Sequence, residues 1–136
     1  MSELDLVELL RAVQKLEKRV SVALMYSGLR IPQFRFLDRL ERNGQATVSE
    51  MSQALGITRA TASVMANELI TAHIVAVIEN ERDRRSFHIR LTEHGRHKLN
   101  VARSDVGVLQ QKLAGELSSD ALAALAIFTR SSMHGE

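Results

Sequence analysis

Residues 47–72 read TVSEMSQALGITRATASVMANELITA, and the punctuation of this stretch decides the fold. Thr47-Val48-Ser49-Glu50 is an S/T-x-x-E capping box, which opens a helix by satisfying its free N–H groups reciprocally. That helix is short, because Gly56 follows Leu55 and stops it. Thr58 caps a second helix at once, running from Arg59 to about Ala72 with Ala62, Met65 and Leu69 at the spacing of an inward face. Two helices joined by three or four residues with a glycine in the turn form a helix-turn-helix. The first turns of its second helix present Arg59, Ala60, Thr61 and Ser63 outward.

Working downstream, the period changes. Val75-Ala76-Val77-Ile78 is a short β-rich run. From Ser86 to Leu91 the chain alternates, with Phe87, Ile89 and Leu91 on one face and Ser86, His88 and Arg90 on the other. The segment between them, residues 79–85, is too polar for a core and suits a hairpin loop. A β-hairpin after a helix-turn-helix is a winged helix. Thr92 then caps a long helical stretch from Glu93 toward Leu117. A last helix, capped by Ser118 or Ser119, carries Leu122, Leu125 and Phe128.

Upstream, Pro32 suits the first turn of a helix that carries Phe34, Leu37 and Leu40 inward and stops near Asn43-Gly44. Before it, residues 2–27 are helical, with Leu6, Leu9, Val13, Leu16, Val20 and Ala23 forming an apolar seam that Leu10 and Leu24 widen. The expected fold is therefore mainly α with a small β-hairpin wing, built as one compact domain. Residues 1–29 form an N-terminal dimerisation helix, 30–100 a winged helix-turn-helix lobe, and 101–136 C-terminal dimerisation helices. The terminal seams are more apolar surface than the central lobe requires, and such a surplus marks an interface.

Composition narrows the function classes. The chain has 136 residues, one domain's worth. It contains no cysteine, which removes disulfides, thiolate metal sites and thiol redox sensing. No apolar run approaches the roughly 18 residues of a membrane helix, and the N-terminus has no secretory pattern, so a cytoplasmic protein without membrane attachment is expected. The net charge is only +2, but it is unevenly spread. Residues 1–27 sum to zero, 28–103 to +4 and 104–136 to −2. There is no nucleophile motif, phosphate loop or H-E-x-x-H, so the chain does not read as an enzyme. His94 and His97, three apart beside Glu93, are explained by a solvated helix start, and no metal or cofactor is expected.

In the order of its elements and in its residues the chain resembles the MarR family of bacterial winged-helix transcriptional regulators. The likeness spans about residues 30–100. It is carried by Ile31 to Leu37, Thr47 to Gly56, Ile57 to Leu69, and above all Arg82-Asp83-Arg84-Arg85-Ser86 followed by Leu91-Thr92-Glu93-His94-Gly95-Arg96. The resemblance implies a homodimer built from the terminal helices, each subunit placing its recognition helix in the major groove of half of a palindromic operator. It also implies a wing in the adjacent minor groove with Arg85 inserted and Asp83 holding the wing in shape. Many members release DNA on binding small aromatic or phenolic compounds, and Met25 and Tyr26 lie near where that pocket is expected.

The residues support part of this. An arginine at a hairpin tip is attracted by the concentrated negative potential of a narrow minor groove. Thr61 and Ser63 carry hydroxyls suited to phosphates or base edges, and Arg59 can pair with guanine or contact phosphate. With Thr47, Thr58, Ala60, Arg82 and Arg84 they make up the expected face for double-stranded DNA. Departures from the family pattern favour an alternative, a winged-helix protein-interaction module of weak DNA affinity. Val64 and Glu68 stand where basic residues are common on the recognition helix, and Ala76-Val77 where Glu-Arg is common. His73 stands in place of the glycine that usually closes the recognition helix, and histidine tolerates positive φ at some strain.

Overall fold

The structure, a computed structural model, describes residues 4–78 and 87–134. Helix α1 (Leu6–Leu24) starts at Asp5, whose carboxylate accepts from the Val7 and Glu8 amides. It ends three residues before the expected Ser27. Helix α2 (Ile31–Asn43) carries Pro32 in its first turn and closes on Gly44 at φ 81°. A two-residue strand, β1 (Ala46–Thr47), leads directly into α3 (Val48–Leu55), and α4 (Arg59–Thr71) follows. Strands β2 (Val75–Ile78) and β3 (His88–Leu91) precede the long α5 (Glu93–Glu116) and the terminal α6 (Ser119–His134).

The sheet has three strands in the order β1-β3-β2, all antiparallel, rather than the two of a simple hairpin. β1 pairs Ala46 with Ile89 and Thr47 with His88, so the helix-turn-helix is joined to the wing through its own first residues. Strand β3 begins two residues later than the alternation indicated. Phe87 lies before it and is exposed, while Ile89 and Leu91 are buried as expected.

The core gathers Leu24, Phe36, Leu37, Leu40, Met51, Leu69, Ile89 and Leu99 with the small residues Ala46, Ala66 and Ala102. Two inward assignments shift by one or two residues. Phe36 is fully buried and Phe34 only partly, and on α4 Ala66 is buried where Met65 is half-buried. The core thus belongs to the central lobe and the first half of α5. The end of the α1 seam joins it through buried Leu24 and partly buried Val20, whereas Leu6, Leu10 and Val22 on α1 and Leu125 and Phe128 on α6 are exposed.

Candidate nucleic-acid interface

The local chemistry that folds the helix-turn-helix is visible atom by atom. The Thr47 hydroxyl accepts from the Glu50 amide at 3.1 Å, and the Glu50 carboxylate accepts from the Thr47 amide at 3.0 Å. The Thr47 amide bond to the carboxylate, and then the Thr47 hydroxyl beside it, favour the charged form and hold the Glu50 carboxyl below its ordinary pKa, and His88 nearby adds to the effect. Gly56 takes the left-handed conformation at φ 66° that ends α3. Thr58 accepts from the Thr61 amide at 3.1 Å and donates from its hydroxyl to that of Thr61 at 2.9 Å. The turn is thereby reduced to Gly56, Ile57 and Thr58, and α4 is set rigidly against α3.

The exposed face of α4 is what such a fold offers to a groove. Arg59, Ala60 and Thr61 are exposed, as the sequence indicates. Ser63, three positions after Ala60 and so only about 60° from it around the helix, flanks that face and is half-buried. The next exposed positions are Val64, Asn67 and Glu68. Val64 is 59% exposed. Thr47 and Thr58 are committed to capping through their side-chain oxygens, so their roles at the face are first structural.

One participant is absent from the sequence reading. Arg30, at the N-terminus of α2, reaches Glu68 on α4 with Nη2 at 3.1 Å from the carboxylate. The two residues are 38 positions apart, and no local pattern connects them. A charge that looked repulsive to DNA therefore carries its own counter-ion. Arg82, Asp83, Arg84 and Arg85, the expected wing contacts, lie outside the described residues.

The corner after α4 explains another departure. His73 has φ 59°, the left-handed conformation in which glycine is usual, and its amide and that of Ile74 bond back to Ile70 and Leu69. The Thr92 hydroxyl lies 2.6 Å from the His73 carbonyl, and it accepts from the Gly95 amide at 3.0 Å. The helix closure is thus pinned to the start of α5.

Met25 and Tyr26 sit in the turn after α1 and are exposed, so neither packs in the core of the chain. They do not line an open cleft of about 730 Å³ between α1 and α5. Val22, Ala23, Val108 and Leu109 line it together with Lys15, Lys18, Arg19 and Lys112. Among the described residues no group of three metal-ligating side chains is assembled, and no helix is long and apolar enough to cross a membrane.

Capped α3, short glycine turn, exposed α4 and a three-stranded wing sheet define a winged helix-turn-helix. The MarR family model matches residues 27–86. Solved structures align along nearly the whole chain. The mutant MarR from E. coli in complex with operator DNA has a TM-score of 0.82 at 22% identity, covering 93% of this chain and 92% of that one. Wild-type apo MarR from E. coli gives 0.77 at 22%, covering 97% and 98%. The YusO protein from Bacillus subtilis gives 0.72 at 20%, covering 96% and 92%. At these identities the likeness is one of fold. No curated protein matches the sequence.

Proposed function

We propose that the chain is a transcriptional regulator rather than an enzyme, acting in the cytoplasm as a homodimeric repressor that binds a palindromic operator. The observation that carries this reading is the exposed first half of α4, held by the Thr47 and Thr58 caps on a fold whose solved relatives include one with operator DNA. A related structure is described as a multiple antibiotic resistance repressor, which supports the direction of regulation. The contacts proposed are Arg59, Ala60, Thr61 and Ser63 in the major groove and Arg82 to Arg85 in the minor groove. Release by a small aromatic or phenolic effector is supported by the α1–α5 cleft, where apolar side chains occur with four cations and Asp105.

A second reading, a protein-interaction module, is favoured by Val64 and by the charge neutrality of the Arg30–Glu68 pair. Fluorescence anisotropy against the upstream region of the chain's own gene, titrated with salt, separates the two. The regulator binds that duplex at least tenfold more tightly than random DNA, with affinity falling steeply as salt rises. Equal affinity for both duplexes would sink the regulator reading and favour the module.

A further inference from the structure

Helix α4 carries two charged residues, Arg59 at its first position and Glu68 in its third turn. Glu68 is held by Arg30, so the middle of the exposed face is electrically neutral. What it offers instead is apolar: Ala60 and, one turn on, Val64, exposed at 59%. Val64 borders two shallow depressions, one running to Arg30 and Ala60 and the other to Asn67 and Thr71.

In the major groove one base-pair feature is matched by an aliphatic side chain, the C5-methyl group of thymine. Ala60 and Val64 lie about 6 Å apart along the helix axis, close to two base-pair steps of about 3.4 Å. Resting on the proposal that α4 enters the major groove, we propose that Val64 is a specificity-determining residue. It selects thymine in each half-site through methyl contact, with Ala60 allowing the close approach. The Arg30–Glu68 pair supports this choice by placing no unpaired charge beside the methyl groups. Repulsion of the phosphates by Glu68 is reduced, and no long cation competes for guanine at this point of the groove.

The test uses the full chain. Selection from a random duplex library first gives the preferred site; then each thymine of a half-site is replaced in turn by uracil, which lacks only the methyl group. One position is expected to cost about fourfold in Kd, the value of one buried methyl. Val64→Ala is expected to bind thymine and uracil versions of that position equally, while remaining folded because the residue is exposed. The inference is overturned if a site is selected but no uracil substitution matters, or if Val64→Ala keeps the full thymine preference. If selection enriches no sequence at all, the DNA-binding reading falls with it, so the two failures are distinguishable.

Discussion

Gly95 and His73 show how one corner of the molecule is set by single residues. A Cβ built on Gly95 would lie 2.0 Å from the Ile74 carbonyl oxygen and 2.9 Å from its carbon. The start of α5 therefore passes so close to the α4–β2 turn that only glycine fits, which gives a physical reason for the glycine in Leu91-Thr92-Glu93-His94-Gly95-Arg96. Because the obstacle is backbone, Gly95→Ala forces α5 to move. Loss of about 3 kcal/mol is expected, at the upper end of overpacking penalties, read as a lowered urea midpoint. His73 is the opposite case. Its left-handed backbone costs about 1–2 kcal/mol relative to glycine, against about 0.5–1 kcal/mol for the added freedom of an unfolded glycine chain. His73→Gly is expected to raise the urea midpoint slightly, with no change in slope. A fall would mean that the imidazole makes a contribution outweighing the strain.

The elements differ in how far the sequence foretells them. Helices α3 and α4 are legible because every group that starts and stops them is local: Thr47 with Glu50, Gly56, Thr58 with Thr61. Strand β1 is not, because two residues have no period, and Thr47 already had a role as a cap. Equally invisible are the ties of α5, whose partners are distant in the chain. Arg103 donates from Nε and Nη2 to Asp38 at 3.0 and 2.7 Å and from Nη1 to Glu41, across 65 and 62 residues. Partial burial disfavours its charge, but the two carboxylates outweigh that and raise its pKa. This fork fastens the long helix to α2, whereas Arg19 and Glu116, tying α1 to the far end of α5 at 3.3 Å, are both exposed. Arg103→Met is expected to cost about 1–3 kcal/mol, since it leaves the half-buried Glu41 carboxylate without its donor and Asp38 with only Arg42 at 3.3 Å. Arg103→Lys restores only part of that, lacking the planar fork. Arg19→Ala is expected to cost less than about 0.5 kcal/mol. Chemical denaturation of the three variants checks the ranking, and equal losses at Arg19 and Arg103 would contradict it.

At the scale of the whole molecule, one chain leaves its terminal helices unfinished. Leu122, Leu125, Ile127 and Phe128 on α6 and Leu6, Leu10 and Val22 on α1 are all more than a third exposed. A 16-residue helix such as α6 is marginal in water without an apolar face to pack on. Covering these seven side chains on each of two subunits, at about 1 kcal/mol for each half-exposed group, contributes on the order of 15 kcal/mol. That offsets an association cost of about 4–15 kcal/mol. The charge distribution is compatible with this: the +4 falls on the central lobe, while the terminal segments carry only 0 and −2. Sedimentation at micromolar concentration is therefore expected to show a dimer, with a melting temperature that rises with concentration. Leu125→Glu combined with Phe128→Glu is expected to yield monomers with reduced helicity. Because a dimer binds two half-sites through one linked event, the same variant is expected to lose operator affinity by about a hundredfold or more, although no residue of α4 has changed. A dimer that survives both substitutions would place the interface on α1 and the start of α5 instead.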